Sequence, residues 1–416
     1  MDEVDLLVVG AGAGGMAAAL AASIEGMSVL VCEKSAQVGG TAATSAGTLW
    51  IPGDAEDAER YLDALLPEGT GRTLRAAYLA AGPRAIEFFA EKSDVKFLAA
   101  GMHPDYVEAP GAAASGRALV PVPFDGRLLG ADFNRVRPPI AEFMLLGGMM
   151  VGKADIVTLL GAKRSLSKFL RSAALVTRYA LDRLRHPRGT RLVMGNALVA
   201  RLFFSLRERK VPMLFQASLT DLMRDAEGIR GAIVSHAGQK VQIRARKGVL
   251  LATGGLGRNA ELRRRLMPAP FTEYSLTATS NTGDGVGAAL RAGAGVAGGR
   301  TGGLWTPVSA TGRKDADGFF PHLILDRAKP GLIAVDRAGR RFVNEACSYH
   351  DFVEAMFRAQ AIPAYLICDA TFVRRYGLGM IHPGTRNLRR HVERGYVHCA
   401  DTLDALARAA SIDAEG

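Results

Sequence analysis

An α/β fold built on a Rossmann-like first domain is what this sequence predicts, and three observations predict it. A strand, a glycine-rich turn, a helix and a second strand follow one another between Asp5 and Glu33. The α/β pattern resumes from Thr190 and ends in another apolar run with glycines, Gly248 to Gly255. From Val296 to about Asp401 the pattern changes to that of a separate domain.

The first element is the best defined. Leu6-Leu7-Val8-Val9 is a short apolar run that leads into Gly10-Ala11-Gly12-Ala13-Gly14-Gly15. The Ala-rich stretch Met16 to Ile24 reads as helix, and Val29-Leu30-Val31-Cys32 as a strand with Glu33 at its end. This context turns a bare GxGxxG into a dinucleotide fingerprint. Gly10 allows the tight turn, Gly12 lets backbone approach a pyrophosphate, and Gly15 lets helix and strand pack closely. The helix N-terminus faces the phosphate charge. Glu33 is placed to accept hydrogen bonds from the adenosine ribose. Soon after Lys34 come Gly39-Gly40-Thr41 and then Ser45-Ala46-Gly47-Thr48. They offer bare backbone along which a flavin's ribityl chain and ring can lie. FAD is therefore expected rather than NAD; the alternative is an ordinary loop of small residues.

Length and composition bound the rest. The 416 residues suffice for two or three domains, and 48% hydrophobic with 22% charged residues is a globular balance. The acidic N-terminus enters a strand at once, so no signal peptide is expected, and no apolar stretch reaches the roughly 18 residues of a membrane span. Cys32, Cys347, Cys368 and Cys399 are widely spaced, which reads as reduced cytoplasmic thiols rather than a metal or disulfide framework. The net charge of +11 is uneven. Between Gly161 and Lys210 stand thirteen Lys and Arg against two acids, Asp182 and Glu208. No nucleic-acid motif accompanies them, so nucleic acid is not an expected partner.

In chain order, Tyr61 to Val95 reads as two helices around Pro67-Glu68-Gly69. Met102 to Gly130 is a glycine- and proline-rich loop region, the kind that often carries function. Phe143 to Leu184 is apolar and basic together, with Leu166, Phe169, Leu170 and Ala173 on one helical face. Such a helix can lie on an acidic membrane surface, or pack on its own domain with a solvated basic side. Asn196 to Arg209 reads as helix, and Met213-Leu214-Phe215 and Ile229 to Ser235 as strands. Val241 to Arg246 alternates, and Gly248 to Leu251 reads as a buried strand ending in Ala252-Thr253-Gly254-Gly255. Asn281-Thr282-Gly283-Asp284-Gly285 opens a helix over Val286 to Arg291. The apolar runs before Asp336 and after Arg341 read as a hairpin around Arg337-Ala338-Gly339.

Several of these strings together resemble one family. Gly39-Gly40-Thr41 to Gly47-Thr48-Leu49-Trp50-Ile51-Pro52 is similar to the superfamily of fumarate reductases and 3-ketosteroid dehydrogenases, its ending closest to the ketosteroid branch. Tyr106-Val107-Glu108-Ala109-Pro110-Gly111, with Gly116-Arg117 and Pro123 to Arg127, resembles that branch's active-site loop. Thr253-Gly254 and Asn281 to Gly285 resemble its flavin contacts. Residues 329–345 resemble a stretch of its capping domain. The resemblance implies a Rossmann-like FAD-binding domain over 1–285, with a basic helical excursion near 143–190. An inserted α+β capping (substrate) domain is implied over 286–404. Residues 405–416 would begin a return segment that completes the FAD fold, the rest of which is not recognisable in this chain. Among cofactor contacts the resemblance and the motifs together point to Gly10, Ala11, Gly12, Ala13, Gly14, Gly15, Glu33, Lys34, Gly39, Gly40, Thr41, Ser45, Ala46, Gly47, Thr48, Thr253, Gly254, Asn281, Gly283 and Asp284.

The cap motif separates the two branches. In fumarate reductases a catalytic arginine stands five places after the Asn of Asn344-Glu345; here that place is Tyr349. A neutral phenol cannot supply charge for two carboxylates. The ketosteroid branch carries a tyrosine there, which implies that Tyr349 removes a proton α to a ketone while hydride passes to flavin N5. A phenol's ordinary pKa is about 10, so it needs a neighbour to share its proton, and the resemblance implies Tyr106 as the candidate for that neighbour. The two tyrosines are expected to meet across an interdomain cleft, with His350 as the next candidate base. The expected function is an FAD-dependent dehydrogenase of a 3-ketosteroid or similar apolar cyclic ketone, with an unassigned electron acceptor. A fumarate-reductase-like enzyme, using Arg300, Arg327 or Arg386 for charge, is one alternative. A non-catalytic flavin-binding remnant is the other. A cytoplasmic protein, peripherally membrane-associated through 161–210, is the matching localisation.

Overall fold

The computed structural model describes all residues except 1–2, 268–273, 297–302, 304 and 312–317. The chain divides into two compact units, one of residues 1–259 with 277–296, the other of 260–276 with 297–416.

The first unit is organised by a six-stranded sheet. Strand β1 (Glu3–Val9) leads through the glycine turn into helix α1 (Ala13–Ile24) and back to β2 (Val29–Glu33). The expected strand–turn–helix–strand is therefore present. Strand β3 (Leu49–Trp50) and helices α2 (Ala55–Leu65) and α3 (Arg72–Lys92) follow, the two helices expected around Pro67. Next come β4 (Phe97–Ala99), β5 (Ala118–Pro121), α4 (Lys153–Leu160), α5 (Leu166–Asp182) and α6 (Met194–Glu208). The sheet is completed by β6 (Met213–Phe215), β7 (Ala217–Asp225), β8 (Gly228–His236) and β9 (Gln239–Leu251), and helix α7 (Asp284–Arg291) follows. The spatial order is β6-β2-β1-β9-β8-β7. The β6, β2, β1 and β9 pairings are parallel, while β7, β8 and β9 form an antiparallel meander.

Period-two alternation puts opposite side chains on opposite faces. Val8 and Val31 join Met16, Leu20, Val199 and Leu206 in the core beneath α1 and α6. Leu7, Val9, Leu30 and Cys32 join Leu219, Val234 and Ile243 on the other face. The alanines of α1 keep that helix thin enough to lie against both β1 and α6.

Three expectations need correction. β7 was not anticipated, because Asp221, Arg224 and Asp225 interrupt its apolar pattern. The alternating run Val241 to Arg246 and the apolar run Gly248 to Leu251 are one continuous strand, β9. Its first half pairs with β8 and its second with β1, so it changes from a one-sided to a two-sided environment along its length. The second half is also only half-buried, not buried.

In the second unit the expected hairpin shrinks to one bridge, Val335 with Arg341. Strand β10 (Leu332–Val335) pairs instead with β11 (Tyr365–Cys368). Arg341 is held by its own side chain on Glu345, and the Asn344 carbonyl accepts from the Cys347 N–H. These local bonds turn residues 342–348 away from a strand path and into helix α8 (Tyr349–Arg358).

Candidate functional site

The glycine cradle comes first. Gly10 has φ +107°, and a Cβ on it would lie 2.3 Å from the Ala252 carbonyl oxygen. A Cβ on Gly15 would lie 2.0 Å from the Gly10 oxygen. Both positions therefore exclude any side chain. Gly12, the residue before α1, has open space where its Cβ would be. The three glycines thus do different things: two let backbones touch, and one leaves room in front of a helix N-terminus for a diphosphate.

Glu33 is buried at the end of β2. Its Oε2 accepts from the Ala11 N–H at 2.7 Å and its Oε1 from the Ser35 N–H at 2.8 Å. Each carboxylate oxygen has a second acceptor site, so both can still take a ribose hydroxyl. The Gly39 N–H donates to the Ala11 carbonyl at 2.8 Å, which brings the second glycine pair onto the turn. Lys34 donates to Thr282 at 2.5 Å and to Asp284 at 2.8 Å. Thr41 accepts from the Ala278 N–H, and Gly254 lies against the Asn281 side chain. Gly10 to Gly15, Glu33–Lys34, Gly39 to Thr41, Thr253–Gly254 and Asn281 to Asp284 are therefore one constellation within the first unit.

The buried Oδ1 of Asn281 has no hydrogen-bond partner among the described residues, an acceptor that a cofactor N–H or hydroxyl would satisfy. With the open place at Gly12 and the acceptor capacity of Glu33, this donor and acceptor set fits FAD. Ser45, Ala46 and Thr48 are exposed, and Gly47 is buried against the Gly195 backbone.

Sequence reasoning missed Asn196 and Arg137. Asn196 is fully buried and its amide donates to the carbonyls of Ala43 and Arg137, which fixes the loop after Gly39. A lone Asn among the apolar residues of α6 was the available signal. Arg137 donates to Ser35 at 3.4 Å, but nothing in the sequence links it to that loop.

Tyr106 lies in the first unit, on the loop between β4 and β5, and is half-exposed. Its ring centroid is 6.3 Å from that of His103. The preceding residue, Asp105, is anchored by Trp50, Ala113 and Arg117.

Tyr349 lies in the second unit, as the first residue of α8. Ser348 caps that helix by accepting from the Asp351 N–H at 3.1 Å. Arg327 is 1% exposed, with its guanidinium carbon 5.7 Å from the Tyr349 ring centroid and 4.5 Å from that of Phe352. It donates to the carbonyls of His322, Glu345 and Cys347. Those bonds commit one N–H of each Arg327 nitrogen to backbone carbonyls within the second unit. Arg386 is exposed beside a cavity of about 380 Å³ with Arg374, and Arg300 lies outside the described residues. His350 accepts at Nδ1 from the Trp305 N–H at 3.3 Å, with Nε2 3.4 Å from Glu354. Its lone pair is therefore already engaged.

The basic block resolves into two parts. Arg178, Arg191, Arg201 and Arg207 form ion pairs with Asp125, Asp155, Asp94 and Asp132. Arg188 is buried against Asn196 and Phe133. Helix α5 buries Ser172 and Asp182 while Leu166, Phe169, Leu170 and Leu181 are exposed. Ile156, Val157 and Leu160 of α4 are exposed as well. Of the two alternatives for this helix, packing on its own domain through the apolar face is not met, while the basic side is exposed as expected. Among the described residues no helix is long and apolar enough to cross a membrane.

Known proteins bear on this geometry. The model of a family described as FAD binding domain matches residues 5–415. The 4-oxocyclohex-2-ene-1-carboxylate 5-dehydrogenase of Sinomonas cyclohexanicum is 34% identical over 99% of this chain and 73% of its own length. The 3-oxosteroid 1-dehydrogenase of Mycolicibacterium smegmatis is also 34% identical, over 99% of this chain and 76% of its own. A crystal structure of 3-ketosteroid delta1-dehydrogenase from Sterolibacterium denitrificans, in complex with 1,4-androstadiene-3,17-dione, superposes with a TM-score of 0.90. That match has 33% identity and covers 100% of this chain and 78% of the other.

Proposed function

The chain belongs to the FAD binding domain family and is an FAD-dependent oxidoreductase, and from that premise we propose that it dehydrogenates a ring carbon–carbon bond beside a ketone. A 3-ketosteroid is the first substrate class. The observation that carries the reading is Tyr349 at the head of α8, with the buried Arg327 engaged by backbone carbonyls. This is a site with a phenol where a dicarboxylate enzyme needs a free cation. Two relatives at equal identity are named for a 3-oxosteroid and a 4-oxocyclohexene carboxylate, and both substrates contain a six-membered ring with a ketone.

In this reading Tyr349 takes the proton from the carbon α to the carbonyl. Tyr106 is the partner that shares the phenol's proton. Residues Gly10 to Gly15 hold the pyrophosphate and Glu33 the ribose. Lys34, Gly39 to Thr41, Ser45 to Thr48, Thr253–Gly254 and Asn281 to Asp284 line the rest of the cofactor. Bound FAD supplies the hydride acceptor. The smaller oxocyclohexane carboxylate is the second substrate reading, supported by the 34% identity to the Sinomonas enzyme.

We further infer that a cytoplasmic pool of the protein docks reversibly on anionic lipid through α4 and α5. The exposed Ile156, Val157, Leu160, Leu166, Phe169 and Leu170 stand among Lys163, Arg164 and Arg171, which are exposed as well. An apolar helix face ringed by cations fits an acidic bilayer surface. A steroid partitions into the same phase, so docking would shorten its route.

The test is turnover with androst-4-ene-3,17-dione and with 4-oxocyclohexanecarboxylate, each with an artificial electron acceptor, and with fumarate and a reduced dye. Turnover of either ketone supports the reading. Turnover with fumarate alone overturns it, and FAD binding without any turnover makes the chain a flavin-binding remnant.

A further inference from the structure

Asp105 sits immediately before Tyr106 and is almost sealed from solvent, its side chain 5% exposed. Three donors converge on its carboxylate. Trp50 Nε1 reaches Oδ1 at 2.8 Å, while Arg117 Nη1 at 2.6 Å and the Ala113 N–H at 3.0 Å reach Oδ2. The Asp105 N–H in turn donates to the Ala113 carbonyl at 2.9 Å. Residues 105–113 are thereby closed at their base into one loop. Gly111, in the same loop, has φ +81° and packs so tightly on α2 that a Cβ would lie 2.3 Å from the Asp57 oxygen. The Val107 N–H donates to the Tyr61 hydroxyl at 3.3 Å.

The donors come from a telling place. Trp50 lies in β3, two residues beyond Thr48, where the glycine-rich cofactor segment ends. Its strand pairs with β5 next to Arg117, whose carbonyl accepts from the Ile51 N–H at 2.7 Å. Arg117 is 2% exposed, and two of its nitrogens also reach Asp54, at 3.1 and 2.8 Å. The charge-assisted bond between Arg117 and Asp105 is the strong one on this carboxylate, and both side chains are nearly sealed from solvent.

We propose that Asp105 is a positioning residue, which ties the Tyr106 loop through Trp50 and Arg117 to the segment that follows the flavin glycines. It does not touch substrate. It acts by limiting where the Tyr106 hydroxyl can be. The inference rests on the reading of Tyr106 as partner of the base, and the tests below separate the two.

Asp105→Asn keeps the shape and leaves Arg117 paired with Asp54, so no buried cation is orphaned. Trp50→Phe removes one donor and keeps the stacking against Tyr78. Amide hydrogen exchange of residues 106–109, 111 and 112 should quicken by at least about tenfold in Asp105→Asn, and by about fivefold in Trp50→Phe, the worth of one ordinary hydrogen bond. Exchange in β1 and β9 should not change. Exchange in the loop as slow as in the parent protein overturns the proposal, and so does a uniform rise across the unit, which would make Asp105 merely structural. In turnover with androst-4-ene-3,17-dione, Asp105→Asn should lower kcat with KM little changed. It should cost nothing more when Tyr106 is already Phe, because coupled residues are non-additive. A full further loss in that double variant overturns the proposal. If Tyr106→Phe itself has no effect while the loop still loosens in Asp105→Asn, the anchor stands and the reading of Tyr106 falls.

Discussion

Lys34 and Asp284 are 250 positions apart in the chain and 2.8 Å apart in space. Asp284 Oδ1 also accepts from the Thr282 hydroxyl at 2.6 Å, so the carboxylate is bonded on both oxygens. The pair joins the end of β2 to the turn before the helix Asp284–Arg291, and therefore the two ends of the cofactor cradle. Lys34→Met should weaken FAD binding by about tenfold, the scale of one charged hydrogen bond, with less effect at high salt. Titration of flavin fluorescence reads this directly. An unchanged dissociation constant would mean that the cradle closes without the pair.

Tyr349→Phe removes one oxygen and keeps the ring beneath Arg327. Turnover should fall by about 10²-fold or more, as for loss of a general base, with FAD affinity unchanged. Tyr106→Phe should cost less, since a partner tunes the base without replacing it. Near-normal turnover in Tyr349→Phe would reduce that residue to packing.

Glu345 predicts an acid limb of stability. Burial alone would raise its carboxyl, but two bonds from Arg341 and one from the Ala334 N–H hold it below the usual glutamate range. A group depressed in the folded state stabilises above its unfolded pKa of about 4.3, and that stability is lost as pH falls through the folded value. Glu345→Gln should lower stability at pH 7 by about 2 kcal/mol, in the range of hydrogen bonds to a charged group, and flatten the acid limb. Urea unfolding at pH 7, 5 and 3 checks both. Equal losses at all three would remove Glu345 as the titrating group.

For the α4–α5 surface, sedimentation with anionic and neutral liposomes is decisive. Binding should require anionic lipid, fall with salt, and be lost in Lys163→Glu with Arg164→Glu and in Phe169→Ser with Leu170→Ser, with FAD binding intact. Equal recovery with both lipids, or none with either, would leave the face without a lipid partner.

The cofactor cradle was legible because its demands are on backbone. Only glycine fits where Gly10 meets Ala252 and Gly15 meets Gly10, so the constraint is written in residue type. The basic block was harder to read because local charge is not surface charge. Arg201 and Arg207 find Asp94 and Asp132 far back in the chain, and no local window contains both partners. Helix α5 had the right periodicity, but periodicity does not say which face turns inward; Tyr179, bonded to the Leu146 carbonyl, and Asp182, bonded to Thr190, decide that. The Trp50–Asp105 anchor was invisible for the same reason, since its members are ordinary residues until folding brings them together.

The double pairing of β9 also dictates an order of events. Its near half meets β8 through the tight turn at Ala237 and Gly238, both with positive φ, the geometry that favours a two-residue hairpin. That contact is local and can form early. Its far half must find β1, where Val8 pairs with Leu250 across most of the unit's sequence. Closing so distant a contact is slow. The hairpin therefore arrives first and extends its tail as a ready-made edge, while the nascent β1–β2 pair stays open on one side until residue 251 has been made. During synthesis this chain must keep the open edge of β1 apart from other chains until its distant partner strand exists.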